Sequence, residues 1–205
     1  EHFGTVFYAR DFEQEIFKKY RFCIFLEMLG NNYPHFALQK TFYGDTELDR
    51  AASHYLRFAD AQFYEDGFRK IVGNDETVWE APGLEVPTIS LSRVRSPKFF
   101  YPEYHLDSDN ITIMNEKRLC ESVEAVLGIT NILETNCFLK RKFSGLIAFS
   151  NPVYDLYIGT NDPSVDVSVR EKQKTWNHLM NCLPRYFNGE FSILDIAIRH
   201  NVPYN

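Results

Sequence analysis

Residues 21–29, Arg-Phe-Cys-Ile-Phe-Leu-Glu-Met-Leu, form a continuous apolar run interrupted only at Glu27. A run of this kind predicts a β-strand covered on both faces, as in a parallel sheet flanked by helices. Its one carboxylate then stands at the end of a buried strand. The segment Val86-Pro87-Thr88-Ile89-Ser90-Leu91-Ser92, preceded by Pro82-Gly83, predicts a second buried strand.

Helical spacing surrounds these runs. Phe3, Val6, Phe7, Ala9, Phe12, Ile16 and Phe17 recur at helical intervals with charged residues between them, which predicts an amphipathic helix over 3–19. Gly44-Asp45-Thr46 opens a second helix whose Leu48, Ala51, Ala52, Tyr55 and Leu56 share a face. The longest helix is predicted over 115–134, with Leu119, Val123, Val126, Leu127, Ile129 and Leu133 as its stripe. Strands alternating with helices give an α/β class with a mainly parallel sheet flanked by helices.

The pattern changes after Asn136, so residues 1–137 read as one domain and 138–205 as a linker with a small appended unit. Short β-like pieces (146–149 and 154–159) precede a helix from Trp176, a turn at Gly189 and a helix capped by Ser192, an arrangement with a winged-helix-like look.

Composition narrows the function classes. A chain of 205 residues with 44% hydrophobic content can bury a sizeable core. The net charge of −6 disfavours a dedicated nucleic-acid protein. Four scattered cysteines without a Cys-x-x-Cys pair suit free thiols in a reducing, cytoplasmic setting. No apolar stretch approaches the roughly 18 to 20 residues of a membrane span, and no membrane partner is expected. The pattern leaves a homo-oligomer open.

Four places combine polar groups with apolar strand ends or tight loops: Glu1-His2-Phe3-Gly4-Thr5, Glu27, Asp75-Glu76, and the loop Pro102-Glu103-Tyr104-His105-Leu106-Asp107-Ser108-Asp109-Asn110. On the residues alone, Glu27 reads equally as a metal ligand and as a strand-end acid that reaches solvent or caps a helix. Asp75-Glu76 reads equally as a site and as a solvated turn. An isolated loop histidine such as His105 is more often a surface residue than a ligand.

The ordered set Glu1-His2-Phe3-Gly4-Thr5, Leu26-Glu27-Met28-Leu29-Gly30, Gly73-Asn74-Asp75-Glu76, Ala81-Pro82-Gly83-Leu84-Glu85-Val86-Pro87 and Pro102-Glu103-Tyr104-His105 resembles an aminopeptidase-like family of unknown function. That family is related to the co-catalytic zinc aminopeptidases, and the tail Ser192-Ile193-Leu194-Asp195-Ile196-Ala197 resembles its winged-helix end. The resemblance implies a zinc-dependent hydrolase acting on a small peptide or amino-acid amide, in which a metal activates water. It assigns Glu27 and His105 as metal ligands and Glu1 as general base. His2 stands where the superfamily has a second, ligating acid and becomes a third candidate ligand. Asp75 and Glu76 fall close to the site without being ligands and are assigned with Tyr104 to substrate binding, and Tyr104, with Tyr101, suits a substrate pocket.

The resemblance also implies a first histidine ligand and a bridging aspartate in a segment before Glu1, supplied in cis or by a separate chain. Two other readings stand beside the hydrolase. One is a non-catalytic aminopeptidase-like binding or assembly module. The other is a DNA-binding regulator using 176–205, for which the nearby basic residues, Arg185, Arg199 and His200, are few.

Overall fold

The computed structural model describes residues 2–96, 101–154, 156–159, 164 and 166–205, the side chains of Phe17 and Lys18 excepted. The chain divides into two compact units, Glu1–Thr135 and Asn136–Asn205. The first is a mixed α/β unit. It contains helix α1 (Phe3–Lys19), strands β1 (Cys23–Leu26) and β2 (His35–Gln39), and helix α2 (Glu47–Ala59). Strand β3 (Tyr64–Asp66), the one-turn α3 (Glu76–Trp79), strand β4 (Thr88–Val94) and helix α4 (Glu116–Thr135) complete it.

The strand order is β1-β4-β2-β3, with β1 parallel to β4, β2 parallel to β3, and β2 antiparallel to β4. All seven residues of β4 are buried, as its sequence predicts. Ile89 and Leu91 point to one side, where they join Phe36 and Leu38 of β2, Leu48, Ala52 and Leu56 of α2, and Ala125 and Ile129 of α4 in the main core. Thr88, Ser90 and Ser92 point to the other. By register, Phe25 and Gln39 are the partners of Ser90 and share that polar side. The sheet therefore has one apolar and one polar buried face.

Capping chemistry sets the start of α2. Thr46 accepts from the backbone of Asp49, and Asp49 accepts in return from the backbone of Thr46, a reciprocal capping box. Asp49 is buried and also accepts from the backbone (2.8 Å) and hydroxyl (2.5 Å) of Thr41, so it ties the loop after β2 to the helix.

Arg93 is fully buried at the end of the apolar row on β4. Its Nε donates to Ser122 Oγ (2.9 Å), its Nη1 to the carbonyls of Tyr33 (3.4 Å) and Pro34 (3.2 Å), and its Nη2 to Glu121 Oε2 (3.0 Å). The guanidinium also lies 4.1 Å from the Phe36 ring centroid. One side chain thus joins β4, the β1–β2 connection and α4.

Several sequence expectations shift. The stripe expected on α4 is split, because Ser122, Ala125, Ile129 and Ile132 are its buried residues while Leu119, Val123 and Leu127 are exposed. Two contacts hold the helix this way: Arg93 requires Ser122 to face inward, and the Tyr55 ring of α2 occupies the space a side chain at Gly128 would need. Strand β1 lies at a sheet edge and is half-buried, with Leu26 50% exposed, instead of being covered on both faces. On α1 the apolar positions Phe3, Val6, Phe7 and Phe12 are exposed, and only Ala9 and Ile16 are buried among its described residues. In both cases an apolar surface exists for which the described residues offer no cover.

The second unit holds β5 (Phe138–Lys140), α5 (Val167–Tyr186), β6 (Asn188–Ser192) and α6 (Ile193–His200), with β5 and β6 antiparallel. Helix α5 begins at Val167, well before Trp176, because Asp166 caps it through the backbone and hydroxyl of Ser168. Ser192 caps α6 in a second capping box with Asp195, as expected, and Gly189 takes a left-handed φ of 88°. The β-like pieces at 146–149 and 154–159 form no strand among the described residues. Asn177 of α5 serves instead as the hydrogen-bond partner of both the N–H (3.0 Å) and the C=O (2.6 Å) of Ile158.

Two outcomes follow for the first unit. Arg93→Ala removes a buried cation's bonds to four groups and leaves Glu121 and two carbonyls short of a donor, so urea unfolding is expected to show a loss of about 3–5 kcal/mol. Gly128→Ala should also destabilise, by about 1–3 kcal/mol, because the new Cβ would lie 1.9 Å from Tyr55 Cε2. That clash outweighs the roughly 1 kcal/mol that alanine gains over glycine in a helix.

Candidate active site

Glu27 directly follows β1, and its N–H continues the ladder by donating to the Leu91 carbonyl (3.0 Å). Two residues beyond Phe25, it keeps the polar parity of Ser90 and Gln39. Met28 then takes a left-handed φ of 52°, which turns the chain away from the ladder. Leu29 is held on the far side of this turn, where its carbonyl accepts from Ser122 Oγ (3.0 Å), the hydroxyl that also receives Arg93.

The carboxylate of Glu27 is incompletely satisfied. Oε1 accepts from Asn74 Nδ2 (3.2 Å), whereas Oε2 is buried and meets no hydrogen-bond partner. Burial pushes the Glu27 carboxyl above its ordinary range and the nearby Glu76 carboxylate adds to the rise, while the Asn74 bond and the charge of His105 work against it. Because β1 and β4 are parallel, the chain leaves both strands at the same end of the sheet.

The Asn74-Asp75-Glu76 segment organises the remaining groups. Glu76 is fully buried and accepts from the backbone of Asn74 with both oxygens (2.9 Å each) and from Gln39 Nε2 (3.2 Å). Asp75 accepts from Thr5 Oγ1 (2.6 Å) and faces His2 Nδ1 at 2.8 Å. Against the rise that burial alone would cause, these two partners hold the Asp75 carboxyl below its usual range. With Nδ1 donating to Asp75, His2 has Nε2 as its remaining ring nitrogen, the orientation a carboxylate imposes on many metal-binding histidines. Three consecutive residues thus reach Glu27, His2 and Gln39.

His105 is exposed and adopts a left-handed φ of 60°. Its ring stacks on Tyr104 at 3.9 Å between centroids, and Tyr104 follows Tyr101 and Tyr33 in an aromatic row. The row is anchored at Tyr33, whose hydroxyl donates to Glu103 (2.6 Å), and at Tyr101, whose hydroxyl donates to Asp109 (2.6 Å). Burial and the Glu103 carboxylate push the Tyr33 phenol up to about 12.

Of the residues singled out in the sequence, Glu27, Asp75 and Glu76 are linked through Asn74, His2 is joined to Asp75, and His105 stacks on Tyr104. Tyr104 supports His105. Glu1 lies outside the described residues. Sequence reasoning did not single out Gln39, Asn74 or Thr5 individually. Gln39 carried a readable signal, a polar side chain ending an apolar strand.

An orphaned buried carboxylate oxygen suits a cation. Even so, the described residues contain no group of three or more His, Cys, Asp and Glu side chains able to hold a metal ion. A catalytic zinc takes three protein ligands. The described part of this chain therefore does not complete a zinc site.

Residues 1–136 match the family described as a domain of unknown function, DUF4910. Comparison with curated proteins gives no match. Among solved structures, the crystal structure of a "putative peptidase" from Clostridium acetobutylicum is similar, with a TM-score of 0.71 and 20% identity. The match covers 96% of this chain and 40% of that one, and at this identity it speaks for the fold.

The Glu27 carboxyl offers a stability test. An acid whose folded pKa is raised binds more protons when folded than unfolded, so its contribution to stability falls as pH rises from the ordinary carboxylate range through the raised value. Glu27→Gln should therefore stabilise the protein at neutral pH, and its advantage should shrink as pH falls below that window. Urea unfolding of both proteins at acidic and neutral pH measures the difference.

Proposed function

This chain belongs to the family of the domain of unknown function DUF4910, and from its fold and site we propose that it is part of a zinc aminopeptidase-like hydrolase acting on small peptides or amino-acid amides. The observation that carries the reading is the buried, partnerless Oε2 of Glu27 at the carboxyl end of β1. An acid in this position needs a proton or a cation, and His105 adds a donor of the kind zinc accepts. The fold shared with the Clostridium structure supports the hydrolase class.

In this reading Glu27 and His105 are ligands, with His2 a third oriented by Asp75, and Asn74 positions the Glu27 carboxylate. Tyr104 lines the substrate side and Glu1 is the general base. The remaining ligands come from an amino-terminal portion, in cis or as a separate chain. The half-buried outer edge of β1 and the exposed apolar residues of α1 suit such a portion, because added strands would cover both. The second unit is a winged-helix-like appendage, and the setting is cytoplasmic.

A second reading has one observation in its favour. The absence of a three-ligand group among the described residues fits a non-catalytic module that keeps the fold for assembly.

Zinc titration and aminoacyl-amide hydrolysis separate the two. The 205-residue chain alone is expected to bind zinc weakly and to turn over no substrate. Supplying the amino-terminal portion should raise both. In that completed protein Glu27→Ala should abolish turnover, and Asn74→Ala should weaken zinc binding about 10–100-fold as an orienting partner. A completed protein that binds no zinc, or one that hydrolyses equally well with Glu27→Ala, would sink the hydrolase reading.

A further inference from the structure

We propose that a second pocket, walled by Phe42, Tyr43, Phe68, Glu80, Pro82 and Glu85, binds an organic ammonium group. The pocket has a volume of about 460 Å³, within the range of small-molecule sites. It opens beside Pro87, immediately before β4, whereas Glu27 lies level with the far half of that strand. Several residues of β4, at roughly 3.3 Å each, separate the two places.

The aromatic rings are arranged and presented for a ligand. Phe42 meets Tyr43 edge-on at 5.4 Å and Phe68 edge-on at 5.9 Å. Phe42 is 65% and Tyr43 68% exposed, an arrangement that leaves two large neighbouring rings in water. They are not on a loose loop. Thr41 is fixed by buried Asp49, the backbone N–H of Phe42 donates to both oxygens of Glu80 (3.1 and 3.0 Å), and Gly44 closes the turn with a φ of 75° while donating to Thr41 Oγ1 (3.2 Å). Such prior ordering lowers the entropy that a ligand would otherwise have to overcome.

Charge selects the ligand class. The described lining includes two carboxylates, Glu80 and Glu85, and no lysine or arginine. Arg69 reaches the lining only by donating to Thr77 Oγ1 (3.2 Å). Glu80 is oriented at the wall by the N–H groups of Phe42 and Thr88 (2.9 Å), which offset part of the rise that burial causes in its carboxyl. Aromatic faces beside carboxylates, here the held Glu80 and the exposed Glu85, attract alkylammonium groups through the ring quadrupole and the opposite charge together. An anion would be repelled, and a neutral apolar guest would leave the carboxylates unused.

The test uses the full chain and choline, with the uncharged isostere in which a tert-butyl group replaces the trimethylammonium. Calorimetric or NMR titration should show choline binding in the millimolar range or tighter, and the isostere at least about fivefold weaker. Tyr43→Ala should weaken choline about fivefold or more, and Glu85→Gln should narrow the gap between the two probes, with circular dichroism confirming that both variants are folded. Equal binding of the two probes, no choline binding, or binding untouched in folded Tyr43→Ala would each overturn the proposal.

Discussion

Arg93 is the interaction on which the first unit depends. A guanidinium taken fully out of water carries a desolvation cost of several kcal/mol, and it persists there only when its donors are matched. Here the match comes from Ser122 and Glu121 on α4, from two carbonyls of the β1–β2 connection, and from the face of Phe36 on β2. The partners come from α4, the β1–β2 connection and β2, so satisfying one cation fixes the rotation of α4 and the path of the connection after β1. Ser122 passes the constraint onward by donating to the carbonyl of Leu29, two residues from Glu27. The candidate site inherits its position from a charge buried on the opposite face of the sheet.

The same sheet separates stability from chemistry by parity. On β4, Ile89 and Leu91 build the core with α2 and α4, while Thr88, Ser90 and Ser92 alternate onto the other face. That second face is expensive. Ser90 Oγ, Ser92 Oγ and Glu27 Oε2 are all buried without a hydrogen-bond partner in the described structure, against the general rule that buried polar groups are satisfied. Left-handed Met28 adds backbone strain next to Glu27. The apolar face supplies the stability that lets these polar groups persist on the other.

What was legible in the sequence follows the range of the interaction. Strand β4, the start of α2 at Thr46 and the cap of α6 at Ser192 are written in local pattern and capping chemistry, and all three are found. The buried face of α4 was not legible. Leu119, Val123 and Leu127 outrank Ser122 in hydrophobicity, and only contacts with Arg93 and Tyr55, distant in sequence, decide that Ser122 and Gly128 face inward. The site divides in the same way. Glu27 drew notice as an acid in an apolar run, but the part played by Asn74, which joins Glu27 to Glu76, depends on a bond across 47 residues.

On the proposed reading, two anomalies have one cause. An apolar run at 21–29 that belongs inside a sheet is found at its edge, with Leu26 half exposed, and α1 presents Phe3, Val6, Phe7 and Phe12 to water. The candidate metal site meanwhile has a buried acid with an idle oxygen and too few described donors. A portion that extended the sheet beyond β1 would cover the first surface by ordinary strand pairing. If its first added strand ran parallel to β1, that strand's carboxyl end would arrive at the edge where Glu27 stands, and polar residues just past it would face Oε2. Sheet completion and site completion would then be the same event. Burial of the β1 edge would supply the free energy to assemble ligands that neither part holds alone.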